Sequence, residues 1–133
     1  LDYWFSVSTP ANTSKEDAIE TVMQVTTGIV THVWIKHPPG CHGVAHATIS
    51  DGLSQIWPTN KDEDYHGDEF PMEFDEVYEV EKPAKFHLRT WNDSTLYAHK
   101  VDVRITILPK EVATMLPLIH ILTRFLQRIG VIS

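Results

Sequence analysis

Four side chains of the types that bind zinc, His37, Cys41, His42 and His46, lie close together in this chain. A closed tetrahedral site needs its ligands to converge. His42 and His46 are four residues apart, a spacing that converges on a helix, but the chain from Val44 onward alternates like a strand. No second ligand pair lies at finger-like spacing. The stretch therefore reads as a tight corner with solvent-facing histidines and a small buried thiol. Cys41, His42 and His46 are expected to hold no structural zinc.

A second group is acidic. Asp62, Asp64, Asp68 and Glu73 offer the oxygen ligands calcium prefers, and the run from Asp62 to Glu73 nearly fits the calcium-loop template. His66 stands where Asp or Asn belongs, and Pro71 and strand-like residues replace the helix that should follow. That argues against an EF-hand; the loop reads as a solvated acidic segment, with calcium held by these carboxylates as the alternative.

The chain has 8 histidines, which invites general acid–base chemistry. It shows neither a glycine-flanked nucleophilic serine nor a phosphate-cradling glycine loop. The expectation is a protein without catalytic residues or cofactor. Trp34, Trp57 and Trp91, with Tyr78 and Tyr97, could line a sugar-binding face, or could serve core and subunit packing.

The elements that must position these residues are strands. From Gly28 to Lys36 the chain alternates, with Ile29, Thr31, Val33 and Ile35 on one face and Val30, His32, Trp34 and Lys36 on the other. Pro38-Pro39-Gly40 ends the ladder by removing two N–H donors, and Gly40 and Gly43 permit a sharp corner. Residues 2–8, 18–27, 44–50, 54–57, 70–80 and 86–91 alternate as further strands. Gly28 reads as a turn, Asp51-Gly52 as a hairpin turn and Asn92-Asp93-Ser94-Thr95 as another. The cleanest strand puts Val101, Val103, Ile105 and Ile107 inward. Short strands with frequent turn signals predict an all-β, antiparallel two-sheet sandwich of jelly-roll type over residues 1–109.

Residues 110–133 differ. Leu118, Ile119, Ile121, Leu122, Phe125, Leu126 and Ile129 recur at helical spacing, with His120, Thr123, Arg124, Gln127 and Arg128 opposite. This predicts an amphipathic C-terminal helix whose apolar face associates with other copies.

At 133 residues and a formal net charge of -7, the chain fits one domain and disfavours nucleic acid as the main partner. No stretch has the apolar length of a membrane span, and the start lacks the pattern of a secretory signal. Leu1 implies either an upstream start or processing. The 1 cysteine cannot form an internal disulfide.

Pro10-Ala11-Asn12-Thr13, Gly28-Ile29-Val30-Thr31, Pro38-Pro39-Gly40-Cys41-His42-Gly43, Gln55-Ile56-Trp57-Pro58-Thr59-Asn60, Trp91-Asn92-Asp93 and Val103-Arg104-Ile105-Thr106-Ile107-Leu108-Pro109 follow one another in order. Together they resemble small β-sandwich proteins encoded by tailed phages and prophages. The resemblance implies a virion structural protein, capsid-decorating or a minor capsid component, which self-associates and binds a larger particle. A carbohydrate-binding module with an exposed aromatic face is the alternative. Outside a virion, the cytoplasm is the expected location.

Overall fold

The computed structural model describes residues 1–40, 42–68 and 70–111. Among the described residues nine strands follow in order: β1 (Asp2–Thr9), β2 (Ile19–Gln24), β3 (Gly28–Lys36), β4 (Ala45–Asp51), β5 (Ser54–Trp57), β6 (Tyr65–His66), β7 (Met72–Val80), β8 (Lys85–Asn92) and β9 (His99–Leu108). One sheet has the order β1-β9-β3-β7; the other has the order β2-β8-β4-β5, with the short β6 also paired to β4. Every strand pair is antiparallel. The expected C-terminal helix and its apolar residues lie outside the described residues.

The two sheets meet through the inward half of each alternating strand. The first contributes Val30, Val33, Ile35, Val101, Val103, Ile105 and Ile107, the second Met23, Ala47, Ile49, Trp57, Phe86 and Leu88, in one buried cluster. The expected inward set of β9 is the observed one. Trp57 ties the layers together. Its ring lies 5.3 Å from that of Phe86 on its own side, and 5.6 and 6.1 Å from those of Tyr78 and Phe74 on the opposite sheet. Its Nε1 donates to the Glu76 carboxylate at 3.0 Å, so the one polar atom of the indole is satisfied.

Three local readings change. Gly28 does not make a turn but opens β3, where a Cβ would run into the Leu108 carbonyl of the neighbouring strand. The glycine is there for close approach between strands. The segment after Asn92 is not a hairpin, because β8 and β9 belong to different sheets. Turn residues signal a reversal without saying which sheet receives the chain. Asn92 holds this arch: fully buried, it donates from Nδ2 to the carbonyls of Thr9 and Tyr97 and accepts from the Ser94 N–H. The acidic loop, thirdly, contains the two-residue strand β6.

Truncating Trp57 removes contacts to both layers and leaves a void that surrounding strands cannot fill. Trp57→Ala is expected to cost about 3–5 kcal/mol in chemical denaturation, within the range for buried aromatics.

Candidate functional site

One end of the sandwich gathers most of the histidines. The chain leaves β3 at Lys36, turns through the proline corner and enters β4 at Ala45. There His46 is paired in register with His66 of β6. The corner is fastened to the acidic loop by two backbone donors. Gly43 N–H donates to the Gly67 carbonyl at 3.2 Å, and Gly40 N–H donates to Asp68 Oδ1 at 2.8 Å. On the other side, Asp93 N–H donates to the Val44 carbonyl at 2.9 Å.

Asp64 lies at the centre of this end. Its Oδ1 accepts from His46 Nδ1 at 2.6 Å and from His66 Nδ1 at 2.9 Å. The second nitrogen of His46, Nε2, faces Asp93 Oδ2 at 3.0 Å. The His46 ring stacks nearly parallel on Trp91, 5.2 Å between centroids, so its orientation is fixed by packing as well as by hydrogen bonds. Burial works to raise the Asp64 pKa, but the hydrogen bonds from His46 and His66 outweigh it and hold the carboxyl below its ordinary value. Asp64 is thus an acceptor.

The structure regroups the residues singled out from sequence. His46 joins Asp64 and His66, while His42 sits 3.5 Å from Asp68. Cys41 lies outside the described residues. The four carboxylates considered for calcium are dispersed among histidines and backbone: Asp64 as above, Asp68 on Gly40, and Glu73 accepting from His32 at 3.0 Å, while Asp62 has a left-handed backbone with φ 71°. Among the described residues, only His46, Asp64 and His66 place three ligand atoms within 4.8 Å of one another. His66, read as a defect in a calcium template, belongs to the group. Asp64 and His66 are two residues apart, and that spacing shares one strand face.

His37 corrects the reading of the corner histidines as solvent-facing. It is completely buried, and among the described residues neither ring nitrogen has a hydrogen-bond partner. Burial, followed by the charges of His46 and His66, lowers its pKa to about 4. Beside this end, a cleft of about 410 Å³ is lined by His42, Asp93, Ser94, Leu96, Tyr97 and His99, among others.

The aromatic face weighed as the alternative to core packing is not assembled from Trp34, Trp57 and Trp91. Trp57 and Trp91 are buried, the first in the core and the second beneath His46. A different aromatic group stands on the outer face of the first sheet. Cross-strand register aligns Trp4, Arg104, Trp34 and Glu73 in one row. The Arg104 guanidinium lies 5.5 Å from the Trp4 ring centroid and 5.1 Å from that of Trp34, and the two indoles are 5.6 Å apart. Trp4 remains 58% exposed. Sequence reading missed Trp4 because it weighed tryptophans without the strand order that sets β1 beside β9. Among the described residues, no helix is long and apolar enough to cross a membrane.

No protein-family model matches this chain, and no curated protein matches it significantly.

His37 gives a pH prediction. Its folded pKa is depressed, so the unfolded chain takes up this proton first as pH falls. Its contribution is therefore fully present above the ordinary histidine range and lost as pH falls from about 6.5 towards 4. His37→Leu should flatten the stability profile across that window, by up to about 1.4 kcal/mol per pH unit, in urea denaturation at successive pH values.

Proposed function

We propose that this chain is a non-enzymatic structural protein that associates with copies of itself and with a larger protein particle such as a capsid, as a virion component. Its two sheets have the strand order of a jelly roll, an architecture used by viral capsid and lectin domains. Fold alone does not fix function, so the reading rests on surface chemistry.

The observation that carries it is the Trp4–Arg104–Trp34 row on the open face of the first sheet. Tryptophan and arginine are the residues most enriched at the energetic centres of protein interfaces. Sugar-binding platforms present open ring faces. Here the guanidinium lies over both indoles, and the rings are inclined by 48°. That favours a protein partner over a glycan. The apolar set Leu118, Ile119, Ile121, Leu122, Phe125, Leu126 and Ile129 supplies a second association surface in this proposal. Asp75, Glu73, Asp102 and Asp2 surround the tryptophan row in the strand register, which suits neither nucleic acid nor an anionic membrane.

The full chain is expected to behave as a defined oligomer by light scattering. Trp4→Ala combined with Arg104→Ala should lower its mass or its affinity for the particle at least tenfold, and Leu122→Asp with Phe125→Asp should dissociate it. A folded monomer that binds glycans on an array through Trp4 and Trp34 would replace this reading with the carbohydrate-binding one.

A further inference from the structure

We infer that His46, Asp64 and His66 form a binding site for a divalent transition-metal ion of the zinc type, with Asp93 orienting His46. This site is distinct from the Cys41–His42–His46 set considered from sequence, and it stands apart from the tryptophan row.

The donor set comes first. Two imidazoles and one carboxylate match zinc's borderline preference, and three protein ligands with a remaining position are the pattern of an open site. Calcium and magnesium would ask for oxygen ligands instead.

Distances come second. Zinc binds nitrogen and carboxylate oxygen at about 2.0–2.2 Å, which sets a tetrahedral ligand–ligand edge of about 3.4 Å. The Asp64 oxygen lies 2.6 and 2.9 Å from the two Nδ1 atoms, so these two edges open by about 0.5–0.8 Å to admit the ion, and the three ligand atoms all lie within 4.8 Å of one another. The ligands are held by different means. His46 is fixed by stacking on Trp91, His66 by the β4–β6 register, and Asp64 by its place two residues before His66.

The proton inventory is the third observation. Without an ion, three ring nitrogens face two carboxylates, and a carboxylate only accepts. A divalent ion replaces the two Nδ1 protons at Asp64. It leaves His46 Nε2–H on Asp93, the histidine–carboxylate pairing that orients metal-bound imidazoles elsewhere. The site is also reachable. The side chains of His46 and Asp64 are each 16% exposed, and that of His66 is 53% exposed, so the open position lies toward solvent on the His66 side.

The test is titration of the metal-free full chain with Zn²⁺ by calorimetry, and with Co²⁺ by its visible absorption. One saturable site with micromolar or tighter affinity is expected, with a cobalt spectrum of four-coordinate type. Asp64→Ala or His66→Ala should weaken binding more than 100-fold. Asp93→Asn should weaken it about 10–100-fold while keeping the ligands, and His42→Ala should leave it unchanged. Circular dichroism of the metal-free variants checks their folding. The wild-type titration needs no variant: absence of saturable Zn²⁺ binding overturns the proposal. Binding that survives both ligand substitutions but is lost in His42→Ala or Cys41→Ser overturns it too, by moving the ion to the corner.

Discussion

Asp64 ties the start of β4 to the acidic loop, alongside the backbone bonds from Gly40 and Gly43 that fasten the corner to the same loop. The proline corner, the start of β4 and the acidic loop all reach the same end of the sandwich, and one carboxylate oxygen accepts from both His46 and His66 there. A two-residue strand such as β6 has too few ladder bonds to hold a loop of this length by itself. The bond from His46 to Asp64 adds to the Gly43–Gly67 and Gly40–Asp68 bonds, strengthened because its acceptor is charged. Behind them lies His37, buried and without a hydrogen-bond partner among the described residues, an arrangement that costs stability.

That end can be irregular because the core elsewhere is regular. β9 and β3 run through the centre of the first sheet, β8 and β4 through the centre of the second, and all four alternate with little interruption. Trp57 closes the layer between them. The one bulge in β3, between Val30 and His32, shifts the alternation so that His32 faces outward beside Asp75 and Glu73. Hydrogen bonds to Asp75 and then Glu73 raise the His32 pKa, the opposite of what burial does to His37. The same residue type thus takes opposite electrostatic roles within β3 and just past its end.

Much of this was legible in the sequence, and the limits are physical. Period-two alternation in residues 99–108 identifies an inward row because side-chain direction is a local property. The corner at Pro38-Pro39-Gly40 is legible for the same reason. Which strands become neighbours is not local. The step from β8 to β9 looked like a hairpin because Asn92-Asp93-Ser94-Thr95 has turn chemistry, yet Asn92 directs the chain across to the other sheet. The candidate site failed on the same point. His46 and His66 meet only through the β4–β6 register, and Asp93 reaches them from the end of β8. Sequence proximity grouped His46 with Cys41 and His42, whereas the fold groups it with Asp64.

The structural role proposed for the tryptophan row and the ion site at the opposite sheet's end use separate surfaces, so neither depends on the other. What both share is one sandwich, locked at the end where Asp64 sits. The most direct measurement of that lock is long-range ¹⁵N–¹H correlation NMR of the imidazoles in the metal-free protein. The account predicts protonated Nδ1 on both His46 and His66, with slowly exchanging protons that are lost together in Asp64→Ala, and a neutral His37 ring that does not titrate above about pH 5. Rapidly exchanging Nδ1 protons on His46 and His66 that are indifferent to Asp64, with His37 titrating near its ordinary value, would contradict it.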